Sequence, residues 1–307
     1  MRVSFIGGGT DIPEFYRQYT GRVISTTIDK YVYVMVKERW EDKIRVSYAQ
    51  NEEIEDIENI KNTRVKAVLD YFGIEKGIEI VSWADLPAQI GLGGSSSFTV
   101  GLINAVSHFL GKELTKEELA QLACKIEIEI LKEPIGKQDQ YIAAYGGFNM
   151  FEFLPNELVN IRKLKMPKEF KDYLLFLFTG MYHDSKVILE DMKKTNAEMN
   201  LERLAKSSLI FLEQLKTGNP AYWGEIIYQG WRLKKNLSPL ISNNFIDEMY
   251  EKVKYSGIYG GKLLGAGGGG VFMFVVPPKK REQVKKALNL KEIKINFTND
   301  GSTIIQR

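Results

Sequence analysis

Apolar positions along this chain recur with two periods, and the switches between them mark out its elements. Val3–Ile6, Arg22–Thr27 and Lys30–Val36 are β-branched and aromatic-rich runs of strand length. Lys43–Tyr48 reads as a further strand, expected to pair with the preceding one across the polar turn Trp40–Asp42. From Glu58 to Phe72 the spacing becomes helical, with Ile60, Val65, Val68, Leu69 and Phe72 on one stripe and Gly73 as its stop. Gly77–Trp83 returns to strand. Ser95–Leu110 and Thr115–Leu131 are amphipathic helices, the second opened by Thr115 with Glu118 three residues on, the spacing of a capping box. Gly147–Phe153 is again a strand.

The polar, proline-bearing stretch Leu154–Pro167 places a domain seam near residue 155, giving units 1–155 and 156–307. Beyond it Tyr173–Phe178 is a strongly apolar strand, and helical periodicity runs from about Ser185 to Tyr255. Lys262–Leu264, Val271–Val276 and Ile293–Phe297 are strands, with a helix over Lys279–Leu288. Strands and helices intersperse without regular βαβ spacing, which predicts an α+β fold over a doubly wound sheet. There is no repeat of fixed period.

Composition narrows the function more than the fold. A net charge of +3 with no block of five like charges gives no nucleic-acid surface. No stretch approaches the ~20 apolar residues of a membrane span. The single cysteine, Cys124, has no partner for a disulfide or a metal knuckle. A cytoplasmic protein is the default expectation, with no membrane partner and a homodimer left open.

Four segments carry candidate chemistry. In Leu86–Gly101 (LPAQIGLGGSSSFTVG), Gly91, Gly93 and Gly94 let backbone N–H groups approach a ligand, and Ser95, Ser96 and Ser97 follow at once at a helix start. Free N–H groups and the positive dipole end there suit phosphate, while the hydroxyls suit phosphate oxygens or a metal ion; the plainer reading is a flexible turn with a serine N-cap. No lysine follows the glycines, so this is not a P-loop. In Lys262–Val276, Gly265, Gly267 and Gly270 satisfy G-x-G-x-x-G, but the run opens a strand rather than a helix, which speaks against a dinucleotide site. In Glu127–Phe151, Asp139 sits between Gln138 and Gln140 near a helix start, where an N-cap is the plain alternative. In Arg2–Asp11, a strand runs into three glycines, then Thr10 and Asp11, which either bind a sugar or satisfy the turn.

The order of these segments, an N-terminal polar turn, P-x-x-x-G-L-G-x-S-S, G-x-x-D-Q and a late G-A-G-G-G-G turn, resembles the GHMP kinases over nearly the whole chain. Within them RVSFIGGGTDIPEFY, STTIDKYVYV and EPIGKQDQYIAAYGG are most similar to the D-glycero-D-manno-heptose 7-phosphate kinase group. The resemblance implies a two-domain α+β fold, an N-terminal domain like the second domain of ribosomal protein S5 and a ferredoxin-like C-terminal domain. It implies ATP and Mg²⁺ as cofactors and transfer of phosphate to the anomeric hydroxyl of heptose 7-phosphate, for nucleotide-activated heptose synthesis. Gly91, Leu92, Gly93, Gly94, Ser95, Ser96 and Ser97 would hold the phosphates with Gly267 and Gly268. Ser95 and Glu127, with Glu129 as the fallback, would bind Mg²⁺. Asp139 would be the catalytic carboxylate, with Arg2 or Lys137 as its cation. Gly8, Gly9, Thr10 and Asp11 would meet the sugar together with Asp139. Arg17, Lys30, Lys137 and Lys186 are the candidates for the substrate phosphate, and Trp83 and Ala49–Glu58 lie near the base by position only. Gly8-Gly9 stands where galactokinases carry Glu-His, which argues against galactose; Arg2 stands unusually close to the first residue. The alternatives are a kinase for a fucose-like or other free hexose, a catalytically silent sugar or nucleotide binder, and a dinucleotide enzyme.

Overall fold

The computed structural model describes residues 1–195 and 197–305. The chain opens with β1 (Arg2–Ile6) and a short α1 (Pro13–Tyr16), and β2 (Gly21–Ile28) returns antiparallel to β1. A second sheet, in the order β3-β6-β4-β5, comprises β3 (Val32–Glu38), β4 (Ile44–Ser47), β5 (Asn51–Ile54) and β6 (Ile78–Ala84), with α2 (Thr63–Phe72) leading into β6. Then come α3 (Gly94–Phe109), α4 (Lys116–Cys124) and α5 (Gln138–Tyr145). The hairpin of β7 (Phe148–Phe153) and β8 (Val159–Lys163) extends the first sheet in the order β1-β2-β7-β8.

The second half holds β9 (Leu174–Phe178), α6 (Ser185–Lys194), α7 (Glu198–Thr217), α8 (Pro220–Lys235) and α9 (Asn244–Lys254). It continues with β10 (Gly260–Leu263), β11 (Val271–Val275), α10 (Arg281–Leu288) and β12 (Lys291–Glu292), whose strands with β9 form an antiparallel sheet ordered β10-β11-β9-β12. Finally β13 (Phe297–Thr298) leaves this half and pairs with the end of β2. The fold is α+β, as the interspersed pattern predicts.

Four local outcomes differ from the sequence pattern, one being that the expected strand Ile293–Phe297 is instead two short strands, β12 and β13, on either side of an irregular stretch. β4 does not pair with β3: β6 lies between them, antiparallel to β3 and parallel to β4. Trp40–Asp42 has no glycine or asparagine to take the positive φ of a tight hairpin. The chain therefore leaves the sheet, and β6, with Ile78 and Ile80 buried, takes the central place. The long helical region after Ser185 is four helices, one break made by Gly218 at φ +69° with Pro220 starting the next. The hairpin β7–β8 crosses residue 155, so the first sheet continues to Lys163. The capping box at Thr115 and Glu118 is present, both hydrogen bonds made.

Burial divides into three clusters, one within the first half, one in the second half that takes in Ile12 and Phe15 of the first, and one along the seam. In the seam Val3, Phe5, Ile24 and Phe148 of the first sheet meet Phe170, Phe211, Trp223 and Val271. Phe5 contacts the rings of Phe148, Phe170, Phe211 and Phe297. A fully buried apolar seam holds the halves in fixed relation, unlike the polar interfaces that let domains swing. Phe5→Ala should therefore lower the unfolding free energy by about 3–5 kcal/mol in a urea titration, with both halves melting in one transition. A loss below about 1 kcal/mol, or two separate transitions, would contradict a shared core.

Candidate active site

A cavity of about 310 Å³ opens between the halves. One wall is the turn Gly91–Ser96; another carries Asp11, Gln138 and Asp139; Lys234, Gly265 and Ala266 close it from the second half. The turn cannot accept ordinary residues. Gly91 has φ +85°, and a Cβ there would fall 2.4 Å from the Leu264 carbonyl oxygen; Gly93 has φ +72°, and a Cβ there would meet the Arg2 side chain at 2.9 Å. α3 starts at Gly94 with no side-chain cap, so its first N–H groups face the cavity side without a competing acceptor.

Behind that helix start lies Glu127, fully buried on a π-helical turn (Lys125–Ile130) that continues α4. Such turns insert an extra residue and re-aim side chains, and they recur at functional sites. Ser96 Oγ donates to Glu127 Oε2 at 2.8 Å, and Thr99 Oγ1 donates to Oε1 at 2.7 Å. Gln140 Nε2 and Arg64 Nε donate to the same carboxylate at 2.6 and 3.0 Å. The hydroxyl beside Glu127 is thus that of Ser96, not Ser95. Ser95 is exposed and lines the cavity mouth, one helical position out of phase. Neither Glu127 nor the fallback Glu129 lines the cavity, but Glu127 is hydrogen-bonded to Ser96, which does.

Asp139 lies in the first turn of α5, where it does not cap the helix. Arg2 Nε and Nη2 donate to its two oxygens at 2.7 and 2.8 Å, a bidentate pair. The remaining arm of the fork, Nη1, donates to the Gly91 carbonyl at 2.5 Å and so ties Asp139 to the glycine turn. Asp11 is buried beside them, accepting from the N–H groups of Gly9 (2.9 Å) and Gln138 (3.1 Å). Burial pushes its carboxyl up from the usual range, and those two N–H groups pull against the rise.

Several expected residues go elsewhere. Lys137 adjoins Asp139 in sequence, but its ammonium points away, donating to Glu157 and lying 4.5 Å from the Tyr16 ring centroid. Burial raises the Glu157 carboxyl, but hydrogen bonds from Lys137, Arg17 and Tyr16 outweigh this and hold it at about 2. Arg17 is tied up in the same cluster, and Lys30 pairs with Asp29. Ser97 Oγ turns back to donate to the Gly93 carbonyl. Thr10 Oγ1 donates to the Gly7 and Arg22 carbonyls, a structural role in the turn. Gly9 lines the cavity and Gly8 does not. Gly267 packs on Ile241 and Gly268 on Ile188 and His183, leaving Gly265 and Ala266 to face the cavity. Trp83 stacks on Tyr33 at the outer sheet, away from the lining.

Other functional candidates escaped the motifs. Arg64 bridges Glu127 and Glu133, and Lys186, already a candidate for the substrate phosphate, reaches from α6 to the same Glu133 at 3.0 Å; both cations line the cavity. Lys234 and His183 line it from the second half. Thr99, three residues beyond Ser96 on one helix, was recoverable from helical phase.

Family models describing the GHMP kinases N terminal domain and the GHMP kinases C terminal match residues 60–147 and 211–293. A D-glycero-alpha-D-manno-heptose 7-phosphate kinase of Campylobacter jejuni is 32% identical, covering 98% of this chain and 96% of its own. The chain belongs to the GHMP kinases. A crystal structure of a D-glycero-D-manno-heptose 1-phosphate kinase from Bacteroides thetaiotaomicron matches with a TM-score of 0.81 at 28% identity, over 98% of this chain and 95% of that one. A mevalonate kinase from Methanocaldococcus jannaschii is 29% identical over 90% of this chain and 92% of its own. GHMP kinases are ATP-dependent kinases, and this member is similar to heptose phosphate kinases. None of its described helices is long and apolar enough to cross a membrane. In this GHMP kinase Arg2→Lys, which loses the fork that spans Asp139 and Gly91, should lower kcat about 100-fold or more, while Lys137→Met should keep it within about threefold. Steady-state ADP release measures both; the reverse ranking would return the catalytic cation to Lys137.

Proposed function

We propose that this GHMP kinase transfers the γ-phosphoryl group of ATP to the anomeric hydroxyl of D-glycero-D-manno-heptose 7-phosphate, giving the 1,7-bisphosphate for nucleotide-activated heptose synthesis. The observation that carries the reading is the Arg2–Asp139 pair, fixed to Gly91 beside the uncapped start of α3. A carboxylate to receive an acceptor hydroxyl and an N–H array to receive phosphates thereby share one cavity. Phosphoryl transfer needs little covalent help from protein, only position and charge stabilisation.

In this reading the N–H groups of Gly94–Ser96 hold the phosphates. Asp139 aligns the hydroxyl and takes its proton late, since an ordinary aspartate is a weak base near neutrality. Asp11 accepts from sugar hydroxyls. Ser96 and Glu127 are hard oxygen donors of the kind Mg²⁺ takes and are the residues proposed to hold it; Ser96 lines the cavity, and Glu127 lies buried behind it. The ion, when bound, would neutralise charge on the β- and γ-phosphates. Of Arg17, Lys30, Lys137 and Lys186, only Lys186 lines the cavity, so it is the one proposed to meet a substrate phosphate. The 7-phosphate acceptor is supported by the name of the Campylobacter relative; the Bacteroides neighbour's name places the phosphate at position 1.

ADP formation should be followed with heptose 7-phosphate, fucose, mannose and galactose as acceptors, and the product phosphate located by ³¹P NMR. Turnover of the phosphorylated heptose with a new anomeric phosphate is expected; turnover of free hexoses alone would overturn the assignment. In the same assay Ser96→Ala should raise the Mg²⁺ concentration at half-saturation about tenfold, and Ser95→Ala less than about twofold. Equal effects would remove Ser96 from the metal site.

A further inference from the structure

Lys234 breaks the pattern of its own helix. Ile227, Gly230 and Trp231 form the buried stripe of α8, and Lys234 continues it at the next helical step. An ammonium on an apolar stripe normally costs several kcal/mol unless it is paired. Lys234 is only 6% exposed, yet no carboxylate pairs with it within salt-bridge distance among the described residues. Its one hydrogen bond there is donated to the Gly265 carbonyl at 2.6 Å. An ammonium has three donors. Two are left, and the residue lines the cavity.

Its anchor says what those donors face. Gly265 lies against Gly91, so close that a Cβ on Gly265 would be 2.5 Å from the Gly91 Cα. Gly91 is also the residue whose carbonyl accepts from Arg2, which in turn grips Asp139. Lys234, Arg2 and Asp139 therefore hang from the same pair of touching glycines, where the phosphate turn meets the acceptor carboxylate. His183, also in the lining, has a buried Nδ1 with no hydrogen-bond partner, so that wall holds a second polar atom awaiting a ligand.

Resting on the proposed kinase reaction, we infer that Lys234 is a catalytic residue that contacts the γ-phosphoryl group and neutralises its charge during transfer. In that step the acceptor oxygen bonds to the γ-phosphorus and gives its proton to Asp139. The bond from phosphorus to the β,γ-bridging oxygen breaks, and ADP departs with that electron pair. Lys234 gains and loses no bond; its fixed ammonium stands where negative charge is shared among the phosphoryl oxygens.

The charged and titratable groups facing Lys234 are Asp11, Asp139, Arg2, His183 and Lys262. Burial brings the Lys234 ammonium down to about 8, with Arg2 lowering it and Asp11 and Asp139 raising it. In the ligand-free protein the cation is lost as pH rises through that value, so affinity for the phosphoryl group is full below about pH 8 and declines above it.

The test compares wild type, Lys234→Met and Lys234→Arg, with folding checked by circular dichroism and thermal melting. Calorimetry with Mg²⁺ and either AMP-PNP or ADP needs no acceptor. Lys234→Met should weaken AMP-PNP binding about tenfold and ADP binding less than about twofold, and kcat for the acceptor found in the panel should fall about 100-fold. Wild-type affinity for AMP-PNP should decline as pH rises above about 8, and Lys234→Arg should flatten that decline, which a purely structural role would not move. Unchanged AMP-PNP affinity in folded Lys234→Met overturns the inference while leaving the kinase reading intact. A rise only in KM for a phosphorylated acceptor also overturns it, assigning Lys234 to the acceptor's phosphate. Should wild type turn over no sugar while Lys234→Met still loses AMP-PNP selectively, the acceptor assignment fails and Lys234 stands. Absence of AMP-PNP binding by wild type overturns both.

Discussion

The site depends on two backbones meeting where no side chain can stand between them. Gly91 from the first half and Gly265 from the second touch so closely that a Cβ on either would overlap the other's loop. Each glycine also has positive φ, 85° and 77°, which a side chain would oppose independently. Through this contact the phosphate turn, the Arg2–Asp139 pair and the Lys234 anchor share one frame. A shift of a single ångström in any would separate the donor and acceptor sides.

That frame is supported by packing at a distance. The apolar seam around Phe5, Phe211 and Trp223 fixes the halves, and the final strand β13 crosses back to pair with β2. Lys262 adds a polar stitch, donating from β10 to the Ser4 carbonyl at 3.0 Å. Glu127, the proposed metal ligand, is oriented by four donors from α2, α3 and α5, so three elements converge on one carboxylate. A buried charge held this completely keeps its orientation before any ligand arrives, which is the preorganisation that phosphoryl transfer relies on.

Much of this was legible in the sequence because glycine-rich turns and the G-x-x-D-Q run are contiguous, and their order along the chain is family-specific. What the sequence could not supply was phase. Whether Ser95 or Ser96 turns inward depends on where the helix begins, and a left-handed Gly93 sets that by one residue. Lys137 neighbours Asp139 in the chain, but at a helix start two residues apart point to different sides, so adjacency misled. Gly267 and Gly268 shape the loop against Ile241 and Ile188, while the quieter Gly265 makes the contact that matters. Lys234 did leave a signal, an ammonium at i+7 of the Ile227–Trp231 stripe, which only burial makes meaningful. Strand order was hidden for a related reason: β4 follows β3 closely in the chain, but Trp40–Asp42 lacks the residues of a tight turn and β6 intervenes.

One cavity is proposed to receive phosphates at the start of α3 and present them to Asp139. A crystal structure with Mg²⁺ and AMP-PNP tests it most directly. The account predicts phosphate oxygens on the N–H groups of Gly94–Ser96, the metal on Ser96 and Glu127, and the γ-phosphate facing Asp139. A triphosphate bound away from the start of α3, or a metal held without Ser96 and Glu127, would contradict it.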